Sequence, residues 1–390
     1  MNLSDEYKLI STCCYYDKNA KLANKISSLL SKRNLDWNFI LRESYYHEVH
    51  PFLYKRLKDL DFLNLIPKRI SKSLKYGYFY GLFRNKQLLK EYFKISELFK
   101  RNNVCCLPLK GVSFVGDLYD DIALRPMVDI DIIIKKIDLK KVCGFLSEKL
   151  SYTLTSPNLD VKNICHLVFT HNKKRICLEL HVDEDYPIES PYRIVIPGIW
   201  NRCAEKMSPE DCLFSIILHA KRTGKGVALK YLCDIDRIIR IQRSVLDYDF
   251  MFKAAETFKL KTSCFILLDI AKKLFHTPVP RKFIDNCHPC VMQSFFLRKV
   301  TYRTLFIKEI TRERWTYYGY VILYFLMHDS IIFPIYYTIS ANRRKFSKFC
   351  DISINSKFFD VKYVFRILYI FLKIIFRIFF SIIKYIKNLY

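Results

Sequence analysis

Acidic residues are scarce in this chain: 38 Asp and Glu stand against 65 Lys and Arg, a formal charge of +27 over 390 residues. That balance points to nucleic acid or an anionic membrane surface as partners. A composition rich in Lys, Ile, Phe, Tyr and Asn also follows from AT-biased coding, so charge alone does not establish an RNA partner. The N-terminus, MNLSDEYKLIS, has acidic residues and no apolar core, which argues against a secretory signal and for a cytoplasmic protein. Fourteen cysteines lack any repeated spacing. Adjacent pairs such as Cys13-Cys14 and Cys105-Cys106 suit reduced thiols, not a disulfide scaffold. Cys287-His288-Pro289-Cys290 has no second pair to complete a zinc site. There is no internal repeat, no low-complexity linker, and no uncharged run near the ~18–20 residues of an ordinary spanning helix. The length allows two or three domains with ample core.

What is present is concentrated between Leu107 and Ile134, LPLKGVSFVGDLYDDIALRPMVDIDIII. Asp129 and Asp131 alternate with Ile130, Ile132 and Ile134, so on a strand the two carboxylates share one face, roughly 7 Å apart along the chain, with the isoleucines in the core. Paired carboxylates suit Mg²⁺ or Mn²⁺, which are held by one or two such groups plus waters and substrate phosphates and which serve phosphoryl transfer. Upstream, Val104 to Leu109 reads as a strand end that breaks at Lys110-Gly111 before a helix-compatible stretch. Glycine there lets the backbone approach a phosphate, and Lys110 adds charge. Arg125 is placed either to bind a triphosphate or to neutralise the carboxylate pair.

On these residues the chain resembles the polymerase-β-type nucleotidyltransferases. It is most similar to a bacterial family of uncharacterised nucleotidyltransferases carrying a Lys-Gly turn, a Leu-Tyr pair, an Arg and an Asp-Ile-Asp. Here these are Lys110-Gly111, Leu118-Tyr119, Arg125 and Asp129-Ile130-Asp131. HEVHPFLYKRL at 47–57, His166 with Glu179-Leu180-His181, and LKYLCDIDRII at 229–239 extend the similarity over most of residues 35–345. One departure is that Val112 follows the glycine, with Ser113 next, where the superfamily commonly has Ser or Gly directly. The resemblance implies an α+β fold: a small mixed-sheet core flanked by N- and C-terminal helical regions, with NTP as donor and Lys110, Gly111, Ser113 and Arg125 around its phosphates.

A third carboxylate is expected at Glu179. In RICLELHVD, Cys177, Glu179, His181 and Asp183 share one face and Ile176, Leu178, Leu180 and Val182 the other, after a hairpin turn near His171 to Lys174. Glu179 either completes a metal set with Asp129 and Asp131 or acts as base toward the acceptor hydroxyl, with His181 assisting; the plainer alternative is a solvated strand face. A second Asp-x-Asp, Asp234 and Asp236, is a decoy: Leu229, Leu232, Ile235, Ile238 and Ile239 recur at helical spacing, which sets the two aspartates about 200° apart. Asp234 is expected to pack or cap that helix toward the site.

The organisation reads as a helical region at 1–103, a catalytic domain at 104–200, a helical domain at 201–345 and a tail helix at 346–390. A long helix from near Tyr76 to Arg101 presents Leu82, Leu88, Leu89, Phe93, Ile95 and Leu98 as its apolar face, and Ser208-Pro209-Glu210-Asp211 signals another helix start. His219 either contacts nucleotide or packs between helices, and Lys221, Arg222 and Lys225 either guide a polyanion or form a solvated surface. In the tail, Lys362, Arg366, Lys373, Arg377, Lys384 and Lys387 fall within about 80° of a helical wheel, opposite Phe, Ile, Leu and Tyr. Residues 361–390 contain no acidic residue, a pattern suited to lying on the inner, anionic face of a membrane or to docking on protein. The expected function is transfer of a nucleoside monophosphate from an NTP to a hydroxyl of a protein, an RNA end or a small molecule. The alternative is a non-catalytic scaffold reaching a membrane or partner through its basic tail.

Overall fold

The computed structural model describes residues 3–298 apart from 18, 33, 156–165, 184–194, 203–205, 224–227, 292 and 296, together with 326–330. The apolar alternation seen in the sequence builds one mixed sheet from β1 Cys106–Pro108, β2 Asp129–Lys135, β3 Tyr152–Leu154, β4 His166–His171 and β5 Cys177–Asp183, in the order β1-β2-β5-β4-β3. Only the β2–β5 pair is parallel. Ahead of the sheet lie α1 Asp5–Cys13, α2 Ala20–Leu30, α3 Trp37–Tyr46, α4 His50–Asp59 and α5 Lys68–Arg101. Between strands come α6 Lys110–Phe114 and α7 Leu139–Gly144; after them α8 Ile199–Arg202, α9 Pro209–Thr223, α10 Leu229–Ile241, α11 Tyr248–Thr257, α12 Lys261–Phe275 and α13 Arg281–Asn286. The fold is thus the expected α+β core flanked by helices. Ser208 opens α9 as the sequence signals, its hydroxyl accepting from the Asp211 amide at 3.1 Å.

One face of the sheet sends Ile130, Ile132 and Ile134 of β2 and Leu178 and Leu180 of β5 into a core with Leu88, Ile95 and Phe99 of α5. On the other face Ile133 packs with Leu107, Leu109 and Ile199. The aspartates precede Ile133 on this second face, so the same alternation that buries β2 also delivers its carboxylates to one side.

Helix α5 begins at Lys68, two turns earlier than the apolar pattern suggests, because Pro67 fixes its start. Its buried stripe is Ile70, Leu74, Gly77, Gly81, Asn85, Leu88, Glu91, Ile95 and Phe99, at three- and four-residue steps. Phe93, expected on the apolar face, is 62 % exposed because it lies on the opposite side of the wheel from that stripe. Gly77 is there for contact: a Cβ would meet His50 Cδ2 at 2.6 Å and the Tyr45 hydroxyl. Asn85 clamps the loop that leads into β2. Its Nδ2 donates to the carbonyls of Ile122 at 2.5 Å and Arg125 at 2.9 Å, and its Oδ1 accepts from the Met127 amide at 3.2 Å. Asn85→Ala leaves these buried backbone groups short of partners and is expected to lower stability by about 3 kcal/mol in urea unfolding. A loss under about 0.5 kcal/mol would show that the clamp contributes nothing beyond an ordinary surface position.

The helices before the sheet and those that follow it share a core. Tyr7, Ile10, Ile40 and Leu53 pack in one cluster with Leu213, Phe214, Leu232, Ile235, Phe265 and Leu268. The seam is also hydrogen-bonded: α10 has no side-chain cap of its own, and its first amides donate to His47, Leu229 N to Nδ1 at 3.4 Å and Lys230 N to the carbonyl at 3.3 Å. The HEVHP and LKYLCDIDRII segments therefore meet in space. The tail helix at 346–390, with its membrane-binding pattern at 361–390, lies outside the described residues. Among the described residues no helix is long and apolar enough to cross a membrane.

Candidate active site

The parallel register of β2 and β5 sets Asp129 opposite Cys177, Asp131 opposite Glu179 and Ile133 opposite His181. Asp131 is 4 % exposed and His181 1 %, while Asp129 and Glu179 are half-buried. Lys110 Nζ donates to Asp131 Oδ1 at 2.7 Å, and His181 Nε2 lies 3.0 Å from the same oxygen and 3.5 Å from Glu179 Oε2. Local backbone explains how Lys110 gets there. The Leu109 amide donates to the Asp131 carbonyl at 3.0 Å, pinning the end of the β1 segment beside β2. Lys110 then adopts φ 49°, a left-handed conformation uncommon outside glycine, and turns its ammonium back onto that aspartate.

Charge is distributed unevenly over this cluster. Burial pushes the Asp131 carboxyl up, but Lys110 and His181 outweigh it and hold the group well below the usual carboxylate range. Asp129 has no such partner: burial, then the charges of Asp131 and Glu179, push it up from 3.8 to about 6. Because the folded state holds this proton more tightly than the unfolded chain, ionised Asp129 disfavours folding increasingly as pH rises from 3.8 toward about 6. The hydrogen bond from His181 draws Glu179 down.

Ligand atoms of Asp131, Glu179 and His181 all lie within 4.8 Å of one another, close enough to hold one ion. Asp129 stands outside that set but on the same face. Carboxylate oxygens suit Mg²⁺ or Mn²⁺, and the imidazole favours the softer of the two.

The remaining expected site residues fall as follows. Gly111 is buried in the first turn of α6, where a Cβ would meet Met127 Cγ at 2.7 Å, so its smallness serves packing of that turn against the β2 approach. Ser113 is half-buried on the same helix. Arg125 does not neutralise the carboxylate pair. It is 4 % exposed, and its Nε donates to both oxygens of Asp234 at 2.9 Å, so the charge expected for phosphate is engaged inside the protein. Tyr119 donates to the same Asp234 at 2.6 Å. Asp234 thus ties α10 to the approach of β2, while Asp236 turns away to Arg240 at 2.9 Å and Thr277 at 2.7 Å; the second Asp-x-Asp is indeed divergent. His219 Nε2 pairs with the Tyr231 hydroxyl at 2.8 Å, the packed arrangement, and Lys221 donates to the Lys259 carbonyl at 3.3 Å. Lys225 lies outside the described residues.

Sequence reasoning missed Lys230. Its ammonium, 2.6 Å from Glu48, adds positive charge that partly offsets the crowding on Asp129. It sits in the second turn-forming position of LKYLCDIDRII, so the matched segment was the available signal.

No curated protein and no solved structure matches the chain. The family described as uncharacterised nucleotidyltransferase matches residues 33–276, a span holding the sheet, the carboxylate cluster and the Arg125–Asp234 tie. That is well over half of the chain, which therefore belongs to this family of nucleotidyltransferases.

Proposed function

We propose that the protein transfers a nucleoside monophosphate from an NTP to an acceptor hydroxyl. The observation that carries the reading is the parallel register that places Glu179 opposite Asp131, with Asp129 on the same face. Asp131 and Glu179, whose ligand atoms converge with that of His181, would hold a divalent ion, Mg²⁺ or Mn²⁺, with Asp129 brought in from the same face. The donor set fits, because a cation relieves the like-charge crowding that raises Asp129. When bound, the ion supplies Lewis-acid polarisation of the α-phosphate and offsets developing negative charge.

The chain's own groups account for the rest. Lys110, poised 2.7 Å from Asp131, turns to the triphosphate once the carboxylates are otherwise neutralised. The acceptor oxygen bonds to the α-phosphorus as the bond to the β-phosphate oxygen breaks, pyrophosphate leaves, and the hydroxyl proton passes to Glu179. Glu179 is the more open carboxylate, with its side chain 24 % exposed against 6 % for Asp131. His181 holds the two carboxylates in register. Arg125 acts through Asp234 and the loop before β2 as a positioning residue.

Calorimetry with each NTP, with and without Mg²⁺, tests this. Binding is expected to need the ion and to weaken by about 100-fold or more in the Asp129→Asn/Asp131→Asn double variant, since losing even a partner of a metal ligand weakens a site by 10–100-fold. Absence of metal-dependent binding in folded wild-type protein would favour the scaffold alternative.

A further inference from the structure

Beside the Tyr119 ring lies a second group of cations that the transfer chemistry does not use. Arg237 of α10 is 5 % exposed, its guanidinium set 4.7 Å from the ring centroids of Phe52 and Tyr119 and 5.7 Å from that of Tyr16. Its Nη1 has no hydrogen-bond partner. No carboxylate among the described residues pairs with it: the adjacent Asp236 is taken by Arg240 and Thr277. Arg56 of α4, 7 % exposed, contributes a second buried guanidinium, bonded only to the carbonyls of Cys13 and Tyr15 among the described residues. The two cations repel each other.

Both line a cavity of about 90 Å³, together with Lys55, Tyr16, Phe52 and Tyr119 and with three carboxylates, Asp59, Asp120 and Asp121. That volume holds several waters or one ion of phosphate size. Aromatic faces lower the cost of a buried cation but accept none of the guanidinium's five N–H donors in line, and a buried charge without an acceptor is strongly disfavoured. Lys55 is matched by Asp59 at 2.6 Å, Asp121 accepts from the Tyr78 hydroxyl at 2.6 Å and Asp120 is exposed, so among the described residues no carboxylate of the lining bonds to the Arg56 or Arg237 guanidinium. Exposed Tyr16 stands at the rim, which gives a small solute a way in.

From this we infer that the cavity beneath Tyr16 is a binding site for a small oxyanion, the phosphoryl or carboxylate group of a compact solute, received by Arg237 with Arg56 behind it. The guanidinium fork matches either group. The site is not isolated from the carboxylates: Tyr119 covers Arg237 with its ring and donates its hydroxyl to Asp234, which holds Arg125 at the approach to β2.

The test is thermal unfolding of the full chain in inorganic phosphate and in acetate, each against chloride of equal ionic strength, with no nucleotide or divalent ion present. It therefore reads this site independently of the transfer reaction. Wild type is expected to gain a saturable rise in Tm with at least one of the two anions. Phosphate acting alone identifies a phosphoryl site, acetate alone a carboxylate site. Arg237→Gln should abolish the rise, and Tyr16→Glu, a change at an exposed rim position that keeps the test open if Arg237→Gln does not fold, should weaken the apparent affinity about tenfold by like-charge repulsion. No rise beyond chloride overturns the proposal. So does a rise undiminished in either variant, which would mean an adventitious ion only, bound elsewhere.

Discussion

Arg125→Met is expected to lower unfolding free energy by about 3–5 kcal/mol, the cost of stranding one member of a buried ion pair. Asp234 is fully buried, and among the described residues only the Tyr119 hydroxyl would remain hydrogen-bonded to its side-chain oxygens. Burial alone would draw the Arg125 guanidinium down, yet Asp234 more than reverses that, so each charge exists in the interior because of the other. In a chain of this size the loss corresponds to a Tm drop of roughly 5 °C. Arg125→Met/Asp234→Leu removes both charges and should recover most of the loss, since apolar replacement of a whole buried pair is often neutral. A single variant within about 1 kcal/mol of wild type would show that the pair is solvated or unformed in solution.

Glu179→Gln is expected to cut pyrophosphate release by about 10²–10⁴-fold, the usual contribution of a positioned acid–base group. The assay compares wild type and variant under identical conditions, with water or a small polyol in excess offered as acceptor. The substitution keeps the side-chain shape and disturbs a single 3.5 Å contact to His181, so thermal stability should change little. Full turnover by a folded Glu179→Gln protein would remove this residue from the chemistry and leave Asp129 and Asp131 as the working carboxylates.

Which of these features could be read from the chain follows from how local they are. Strict alternation in DIDIII and in RICLELHVD fixes which side chains share a face, so placing Asp129, Asp131, Glu179 and His181 on one side of the sheet needs only the added fact that β2 and β5 are parallel neighbours. Helical spacing likewise separated Asp234 from Asp236 before any contact was known. The pairing of Arg125 with Asp234 is not legible in the sequence, because the partner lies 109 residues away and no periodicity reports a contact across such a distance. The α5 face was read from its large apolar residues, whereas its buried stripe includes Gly77, Gly81, Asn85 and Glu91, chosen for close approach and for backbone contacts. Gly111 was assigned to phosphate because glycine after a lysine suggests it; the space it leaves is taken by Met127. Lys230 carries no signal apart from its segment, since its importance comes from facing Glu48 across the helical seam.

That seam also sets a schedule for biosynthesis. Tyr7 and Ile10 leave the ribosome early, but their packing partners Phe265 and Leu268 follow some 250 residues later. At bacterial or eukaryotic elongation rates this is a delay of roughly 10–50 s, during which α1, α3 and α4 have an apolar side with nothing to cover it. The amides at the start of α10, in turn, find their cap already synthesised in His47. The carboxylate sheet can therefore form in the middle of translation, while the N-terminal helices that flank it complete their packing only once the last of the shared core has emerged.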